Sequence, residues 1–160
     1  MKNSNKKIIT IAASFLTGTI IGNVINIWKC IGQDKKVERL EGYYDLLNDW
    51  LELRQHGKTL EQYFIENDYK EIVIYGFGEL GMHLYEELKS SHVNVKYAID
   101  KNCQGAYCGL DITDINQEID DKAEIVVVTP TFAFDEIKDS IQDKFICPIV
   151  SLKEIITECM

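Results

Sequence analysis

Three glycines and one aspartate stand out in this sequence by their spacing. Gly76, Gly78 and Gly81 form the pattern G-x-G-x-x-G directly after the run "EIVIY", and Asp100 ends the next apolar run. In a dinucleotide site the first glycine makes the tight turn, the second lets a phosphate approach the backbone, and the third lets a helix pack on the sheet. The helix N-terminus then offers N–H groups to a pyrophosphate, and the acid accepts hydrogen bonds from ribose hydroxyls.

The segments around these residues must form a strand, a helix and a second strand. "EIVIY" is typical of a strand buried on both faces, and "ELGMHLYEELKSS" spaces Leu80, Leu84 and Leu88 along a helix. "VNVKYAID" is the second strand. This order predicts an α/β fold, a Rossmann-like three-layer parallel sheet. Because Asp100 would disfavour a 2′-phosphate, NAD is preferred over NADP as a ligand.

The rest of the chain continues this alternation. "KNCQGAYCGLDITDINQEIDDKA" is polar and indicates an abbreviated third unit, whereas "EIVVV" predicts a buried strand followed by a loop at Thr129 and Pro130. Ligands in open α/β sheets lie outside the carboxyl ends of the strands, so this loop faces the same crevice as the glycine turn. "AFDEIKDSIQDK" predicts a helix, "FICPIVSL" a last strand and "KEIITECM" a short final helix.

A helical connector precedes this domain. Residues 34–55 carry apolar side chains at helical spacings, namely Val37, Leu40, Tyr44, Leu47, Leu51 and Leu53. We expect this stripe to pack on the following domain or on a second copy; a recruitment surface for another protein is the alternative. Thr59 and Gln62 form a T-x-x-Q capping box that predicts the start of a second helix.

Residues 8–28 contain no charged side chain. A helix of this length spans about 30 Å, the thickness of the hydrocarbon core of a bilayer, so we predict an N-terminal transmembrane helix. Because the segment contains polar residues, a buried or interfacial helix is an alternative. A signal peptide is the other alternative, but no convincing cleavage site follows the apolar segment. Gly18 and Gly22 form a G-x-x-x-G pattern that would let two such helices approach closely, so a homodimer is a possible assembly. The predicted domains are the anchor, 1–31; the helical connector, 32–68; and the Rossmann-like nucleotide-binding domain, 69–160.

Charge and cysteine content restrict the partners and the compartment. Residues 34–160 hold 13 of the 17 basic residues and all 26 acidic ones, a net formal charge of −13. Such a domain repels phosphate backbones, which argues against nucleic-acid binding. The five cysteines are odd in number, and the pair in "CQGAYC" suits neither a zinc knuckle nor a redox turn. We therefore expect no metal, reduced thiols and a cytoplasmic soluble domain.

No familiar catalytic set emerges from the sequence. Tyr97 and Lys101 have Tyr-x-x-x-Lys spacing, but they straddle the end of the second predicted strand rather than lying on a later helix. His83 and His92 have no predicted partner with a fixed geometry. The sequence thus favours a binding module over an enzyme.

The motifs "IYGFGELGMHLYEELK", "YAIDKN" and "VVVTPTF" together resemble the small Rossmann-like domains of bacterial polysaccharide and capsule biosynthesis proteins. These include the N-terminal nucleotide-sugar-binding part of sugar O-acyltransferases and the leading domain of membrane-bound nucleotide-sugar dehydratases and epimerases. The resemblance covers about residues 70–152. It implies a nucleotide or nucleotide-sugar site at Gly76, Phe77, Gly78, Asp100, Lys101 and Asn102. The hexapeptide repeat of the acyltransferases and the catalytic half of the epimerases are not found in this sequence.

These observations predict a membrane-tethered, non-catalytic module that binds NAD or a nucleotide sugar and positions a glycosyltransferase or sugar-modifying enzyme. Two alternatives stay open. One is an interaction scaffold that has kept the fold and lost the ligand, and Glu79 favours it because its carboxylate competes for the helix N-terminus. The other is an NAD-dependent oxidoreductase subunit whose active site is completed by a partner.

Overall fold

A computed structural model describes three parts of the chain, residues 35–102, 105–117 and 122–160. The chain divides into two compact units, Met1–Tyr43 and Tyr44–Met160. The predicted anchor at residues 8–28, with its G-x-x-x-G pattern, lies outside the described residues. Within the three described parts, no helix is long and apolar enough to cross a membrane.

Helices and strands alternate through most of the second unit. The described helices are α1 (35–55), α2 (Leu60–Glu66), α3 (Glu79–Leu88), α4 (Phe134–Ile141) and α5 (Leu152–Cys159). Short 3₁₀ turns lie at Thr131–Ala133 and Gln142–Lys144. The strands are β1 (Glu71–Tyr75), β2 (Asn94–Ile99), β3 (Gly105–Tyr107), β4 (Leu110–Thr113), β5 (Ile125–Val128) and β6 (Ile149–Ser151).

The six strands form one sheet in the order β3-β4-β2-β1-β5-β6. β1 pairs in parallel with β2 on one side and with β5 on the other, so the chain reverses its direction of winding at β1. This arrangement is consistent with a Rossmann-like α/β fold. The expectation of a wholly parallel sheet needs one correction, because β3 runs antiparallel to β4 and the sheet is mixed.

The antiparallel pair comes from the stretch that the sequence indicated as polar and abbreviated. Tyr107 pairs with Leu110 across a two-residue turn of Cys108 and Gly109, whose φ angles are 48° and 90°. Positive φ at both central residues is what a tight hairpin turn of type I′ requires. A hairpin therefore occupies the place of a longer third unit, next to β2.

The core strands are buried on both faces. Val73 and Tyr75 of β1 join Val126 and Val128 of β5 in one buried cluster, together with Ile141 of α4. Side chains alternate along a strand, so Ile72 and Ile74 belong to the opposite face, and both are fully buried. Burial on both faces explains why "EIVIY" and "IVVV" are continuous apolar runs.

Helix α1 buries a different face from the one that its apolar stripe predicted. In the second unit, Leu46, Trp50 and Leu53 are buried. The other five stripe residues are exposed, with 43–67% of their surface accessible: Val37, Leu40, Tyr44, Leu47 and Leu51. Of the stripe residues in the second unit, Leu53 is buried, as packing on the following domain predicts, whereas Tyr44, Leu47 and Leu51 are exposed. Packing of the stripe on a second copy stays a prediction.

A carboxylate from α3 links three helices. The Glu87 carboxylate accepts hydrogen bonds from Trp50 Nε1 of α1 and from the Leu60 N–H of α2, both at 2.8 Å. Arg54 contacts the same carboxylate at 3.4 Å. Glu87 thus binds the first free N–H of α2, a role that a capping residue usually has.

The predicted capping box is only half right. Thr59 is the N-cap of α2, as expected, but its side chain makes no capping hydrogen bond. The Gln62 side chain donates to Glu66 at 2.8 Å, one turn further along the helix, instead of turning back. Tertiary contact with Glu87 has replaced the local cap.

Two carboxylates, the partly buried Glu61 and the exposed Glu124, hold neighbouring segments through backbone N–H groups. Glu124 accepts from the N–H groups of Lys70 and Glu71, which lowers the pKa of its carboxyl below 4.5. Glu61 accepts from the His92 N–H at 2.8 Å and from its ring at 2.9 Å, which lowers the pKa of Glu61 likewise. Both groups favour the folded state when they are ionised.

The two edges of the sheet are short. β3 and β6 lie at opposite ends of the strand order, and each has three residues. Pro148 directly precedes β6.

Candidate functional site

The carboxyl ends of β1, β2 and β5 come together at one edge of the sheet. The Gly76 N–H donates to the Ile99 carbonyl at 2.8 Å, and the Thr129 N–H donates to the Tyr75 carbonyl at 3.0 Å. The glycine turn therefore lies between the segment that begins at Asp100 and the segment that begins at Thr129. The structure brings the sequence-predicted site residues into one neighbourhood.

Gly76 is required by the turn itself. Its φ angle is 90°, and a Cβ at this position would lie 2.6 Å from Pro130 Cδ. The buried Thr129 hydroxyl donates to the Gly76 carbonyl at 2.6 Å. Thr129 and Pro130 thus act on the turn directly, as a hydrogen-bond donor and as a close packing partner.

Gly81 is required by the contact between helix α3 and the turn. A Cβ on Gly81 would lie 2.3 Å from the Gly76 carbonyl oxygen and 3.5 Å from Ile74 Cγ2. No carbon atom approaches a carbonyl oxygen so closely without a shift of the backbone. Gly81 therefore has the packing role that the sequence predicted for it.

Gly78 is different, because the fold does not explain it. Its φ of −80° and ψ of −161° are open to any residue, and no heavy atom of the described chain lies within 4 Å of the Cβ that it lacks. Gly78 is the N-cap of α3, and within the described parts no side chain caps this helix. An α-helix leaves the N–H groups of its first turn without intrahelical partners, so those of α3 are candidate donors to a ligand.

Asp100 holds the turn from the other side. Its carboxylate accepts from the Phe77 N–H at 2.7 Å and from the Asn102 N–H at 2.8 Å, through different oxygens. A carboxylate oxygen has a second acceptor position, so Asp100 can still accept from a ligand hydroxyl. Lys101 and Asn102 are both exposed beside it. Asp100 thus has a structural role in addition to the ligand role predicted from the sequence.

An aromatic cluster supports the turn. The Phe77 side chain is buried, and its ring packs edge to face on Tyr107 at 5.4 Å and on Tyr85 at 6.2 Å between centroids. The Tyr85 hydroxyl donates to the Cys108 carbonyl at 3.2 Å, which joins α3 to the β3–β4 hairpin. Sequence reasoning missed both tyrosines. The Cys-Gly pair between "AY" and "LDIT" is the signal that could have placed the hairpin.

Acidic groups dominate the electrostatics of this edge. Burial raises the pKa of the Tyr75 hydroxyl, and the carboxylates of Asp100 and Asp114 raise it further. Tyr75 therefore stays protonated at neutral pH and is not a base. Glu79, in the first turn of α3, is exposed. A phosphate at the glycine turn would bind backbone N–H groups against these negative charges, and the exposed Lys101 is a cation at the same edge.

The other candidate groups lie elsewhere. Tyr97 is on β2 and packs on the buried cluster, whereas Lys101 is exposed beyond the strand. His83 packs edge to face on Trp50, 6.5 Å between ring centroids, and His92 bonds to Glu61. Tyr97, His83 and His92 thus pack against or bond to residues outside the glycine turn.

Two of the described cysteines have thiols that are weak nucleophiles at neutral pH. Burial raises the pKa of the Cys147 and Cys159 thiols, so both are protonated at neutral pH. Cys108 is a free, exposed thiol in the hairpin turn. In the described residues, no group of three or more His, Cys, Asp or Glu side chains could hold a metal ion.

No protein-family model matches this chain, and neither does any curated protein or solved structure. Interpretation of the site therefore depends on its own geometry.

Proposed function

We propose that the chain is a membrane-tethered, non-catalytic module that binds NAD or a nucleotide sugar at the glycine turn. Residues 8–28 would form the tether, with the α/β unit in the cytoplasm. The sequence resemblance to domains of polysaccharide biosynthesis suggests the process that it serves. In that setting the module would present its ligand to a glycosyltransferase or a sugar-modifying enzyme.

The observation that carries this proposal is the open space at Gly78. Gly76 and Gly81 are each explained by a contact within the protein, at 2.6 Å and 2.3 Å from the missing Cβ. Gly78 meets nothing within 4 Å and has an ordinary φ. A glycine at this point of the motif is needed when a phosphate approaches the backbone.

The surrounding groups support the same ligand class. Gly78 is the N-cap of α3, and the free N–H groups at a helix N-terminus stabilise a phosphate. Asp100, fixed by two backbone N–H groups, keeps acceptor positions for ribose hydroxyls. Its negative charge disfavours a 2′-phosphate, so NAD should bind in preference to NADP.

The test is calorimetric titration of the full chain in detergent micelles with NAD, NADP and a panel of nucleotide sugars. The informative variant is Gly78→Ser, since serine is a favourable N-cap but its side chain would occupy the phosphate space and bind the same N–H groups. We expect saturable binding by the wild-type chain and loss of binding in Gly78→Ser, with an unchanged melting temperature.

Gly42→Ser is the matched control, because Gly42 has ordinary backbone angles and open space around its missing Cβ but lies in α1. It should bind like the wild type. Asp100→Ala is a poor choice, because it also removes the acceptor of the Phe77 N–H. Absence of binding to every compound by the wild-type chain, or full binding by Gly78→Ser, would refute the proposal.

A further inference from the structure

Helix α1 carries an apolar stripe that is exposed in the described part of the chain. The exposed fractions are 52% and 58% for Val37 and Leu40, and 67%, 43% and 56% for Tyr44, Leu47 and Leu51. Side chains of this size are rarely exposed in a row unless the surface contacts another molecule.

The spacing of the stripe identifies the kind of surface. The five residues follow one another at intervals of three, four, three and four, which is the heptad pattern of a two-stranded coiled coil. Val37, Tyr44 and Leu51 take the a positions, and Leu40 and Leu47 take the d positions. In parallel coiled coils, a β-branched residue at a, such as Val37, with leucine at d favours two strands over three or four.

The flanking charges agree with a second copy in parallel orientation. In this register Lys36 is a g position and Glu41 is the e position five residues later. In a parallel dimer each g residue faces the e residue of the other helix, so Lys36 of one copy faces Glu41 of the other, twice by symmetry. The next g–e pair joins Tyr43 and Asn48, which are uncharged and do not repel.

An antiparallel dimer gains nothing from these charges. Antiparallel helices aligned over the same stripe set g opposite g and e opposite e, which brings Lys36 near Trp50 and Glu41 near Asn48. Neither contact is an ion pair, and Trp50 is already buried within its own copy.

We propose that α1 joins two copies of this chain as a parallel, in-register coiled coil through Val37, Leu40, Tyr44, Leu47 and Leu51. This dimer does not depend on nucleotide binding. Because the seam covers only about two heptads, it should be a weak, reversible dimer in dilute solution.

The experiment measures energy transfer between donor-labelled and acceptor-labelled copies of the full chain in detergent micelles, as a function of protein concentration. We expect concentration-dependent transfer for the wild type and its loss in Leu47→Lys. Leu47 is exposed, so this substitution does not disturb the fold of a single copy. Asp45→Lys, at an exposed position of the same helix outside the seam, should leave the transfer unchanged.

Charge exchange tests the orientation. Lys36→Glu and Glu41→Lys should each weaken the dimer about tenfold, since each places like charges across the seam, and the double variant should restore wild-type affinity. A wild-type chain that stays monomeric overturns the proposal and would mean that the stripe binds a different protein. So does a Leu47→Lys variant that still dimerises, or a double variant that shows no restoration.

Discussion

Replacing Glu87 by glutamine should destabilise the second unit far more than the chemical change suggests. In the wild type, one carboxylate oxygen of Glu87 accepts from Trp50 Nε1 and the other accepts from the Leu60 N–H, both at 2.8 Å. The substitution keeps the volume of the side chain but replaces one of these oxygens by an NH₂ group. Glutamine offers a single acceptor, so one of these N–H groups is left facing an NH₂ group.

The magnitude follows from the burial of the group. The Glu87 side chain is only 11% exposed. A hydrogen bond to a charged group contributes about 1.5–3 kcal/mol, and a part-buried donor left without an acceptor costs a similar amount. Arg54, with 48% exposure, adds at most about 1 kcal/mol, because solvent screens its ion pair. We expect a loss of about 2–3 kcal/mol, or about 10 °C in melting temperature for a domain of this size.

Urea unfolding followed by circular dichroism measures this loss, with Glu86→Gln as the control. Glu86 is the preceding residue of the same helix, is 39% exposed and pairs with Lys89 one turn away. Its substitution should cost less than about 0.5 kcal/mol. Equal unfolding midpoints for the two variants would refute the view that Glu87 joins helices α1, α2 and α3.

Two further predictions concern the turn and the pH dependence of stability. Gly81→Ala should lower the melting temperature. The new Cβ would lie 2.3 Å from the Gly76 carbonyl oxygen, so α3 must move away from the sheet, at a cost of about 1–3 kcal/mol. A calorimetric scan in which the variant melts like the wild type would contradict this. Backbone N–H groups that donate to Glu61 and Glu124 lower the pKa of both carboxyls in the folded state. The stabilisation that these carboxylates give is therefore complete above pH 4.5, and it is lost as the pH falls through their folded-state pKa values. Urea midpoints measured from pH 6 to pH 3 should fall less steeply in Glu124→Gln, and equal slopes would exclude this role for Glu124.

The central part of the fold could be predicted because its signals are local. β1 spans the five residues of "EIVIY" as expected, and "IVVV" forms the other fully buried strand. The turn needs a positive φ at Gly76 and close packing at Gly76 and Gly81, and few residues other than glycine satisfy these conditions. For such segments the backbone geometry and the residue type determine each other.

The hairpin has only a weak local signal, its Cys-Gly turn, and the two faces of α1 have none. β3 and β4 have three and four residues, too few for a clear periodicity, and the turn uses Cys108 at a positive φ where glycine or asparagine is usual. Along α1, a helical spacing of apolar residues does not say which face meets the domain. Trp50 is buried because Glu87, thirty-seven residues later, accepts its N–H, a partner that no local pattern shows.

The short edges of the sheet affect how copies of this protein can meet. An edge strand of three residues presents few unpaired main-chain groups, and Pro148 beside β6 has no N–H to donate to an incoming strand. The sheet is thus a poor template for strand addition at both of its edges. The short edges therefore protect the molecule from aggregation by strand addition. The proposed α1 dimer would leave association to side chains on a helix, where a single charge can regulate it.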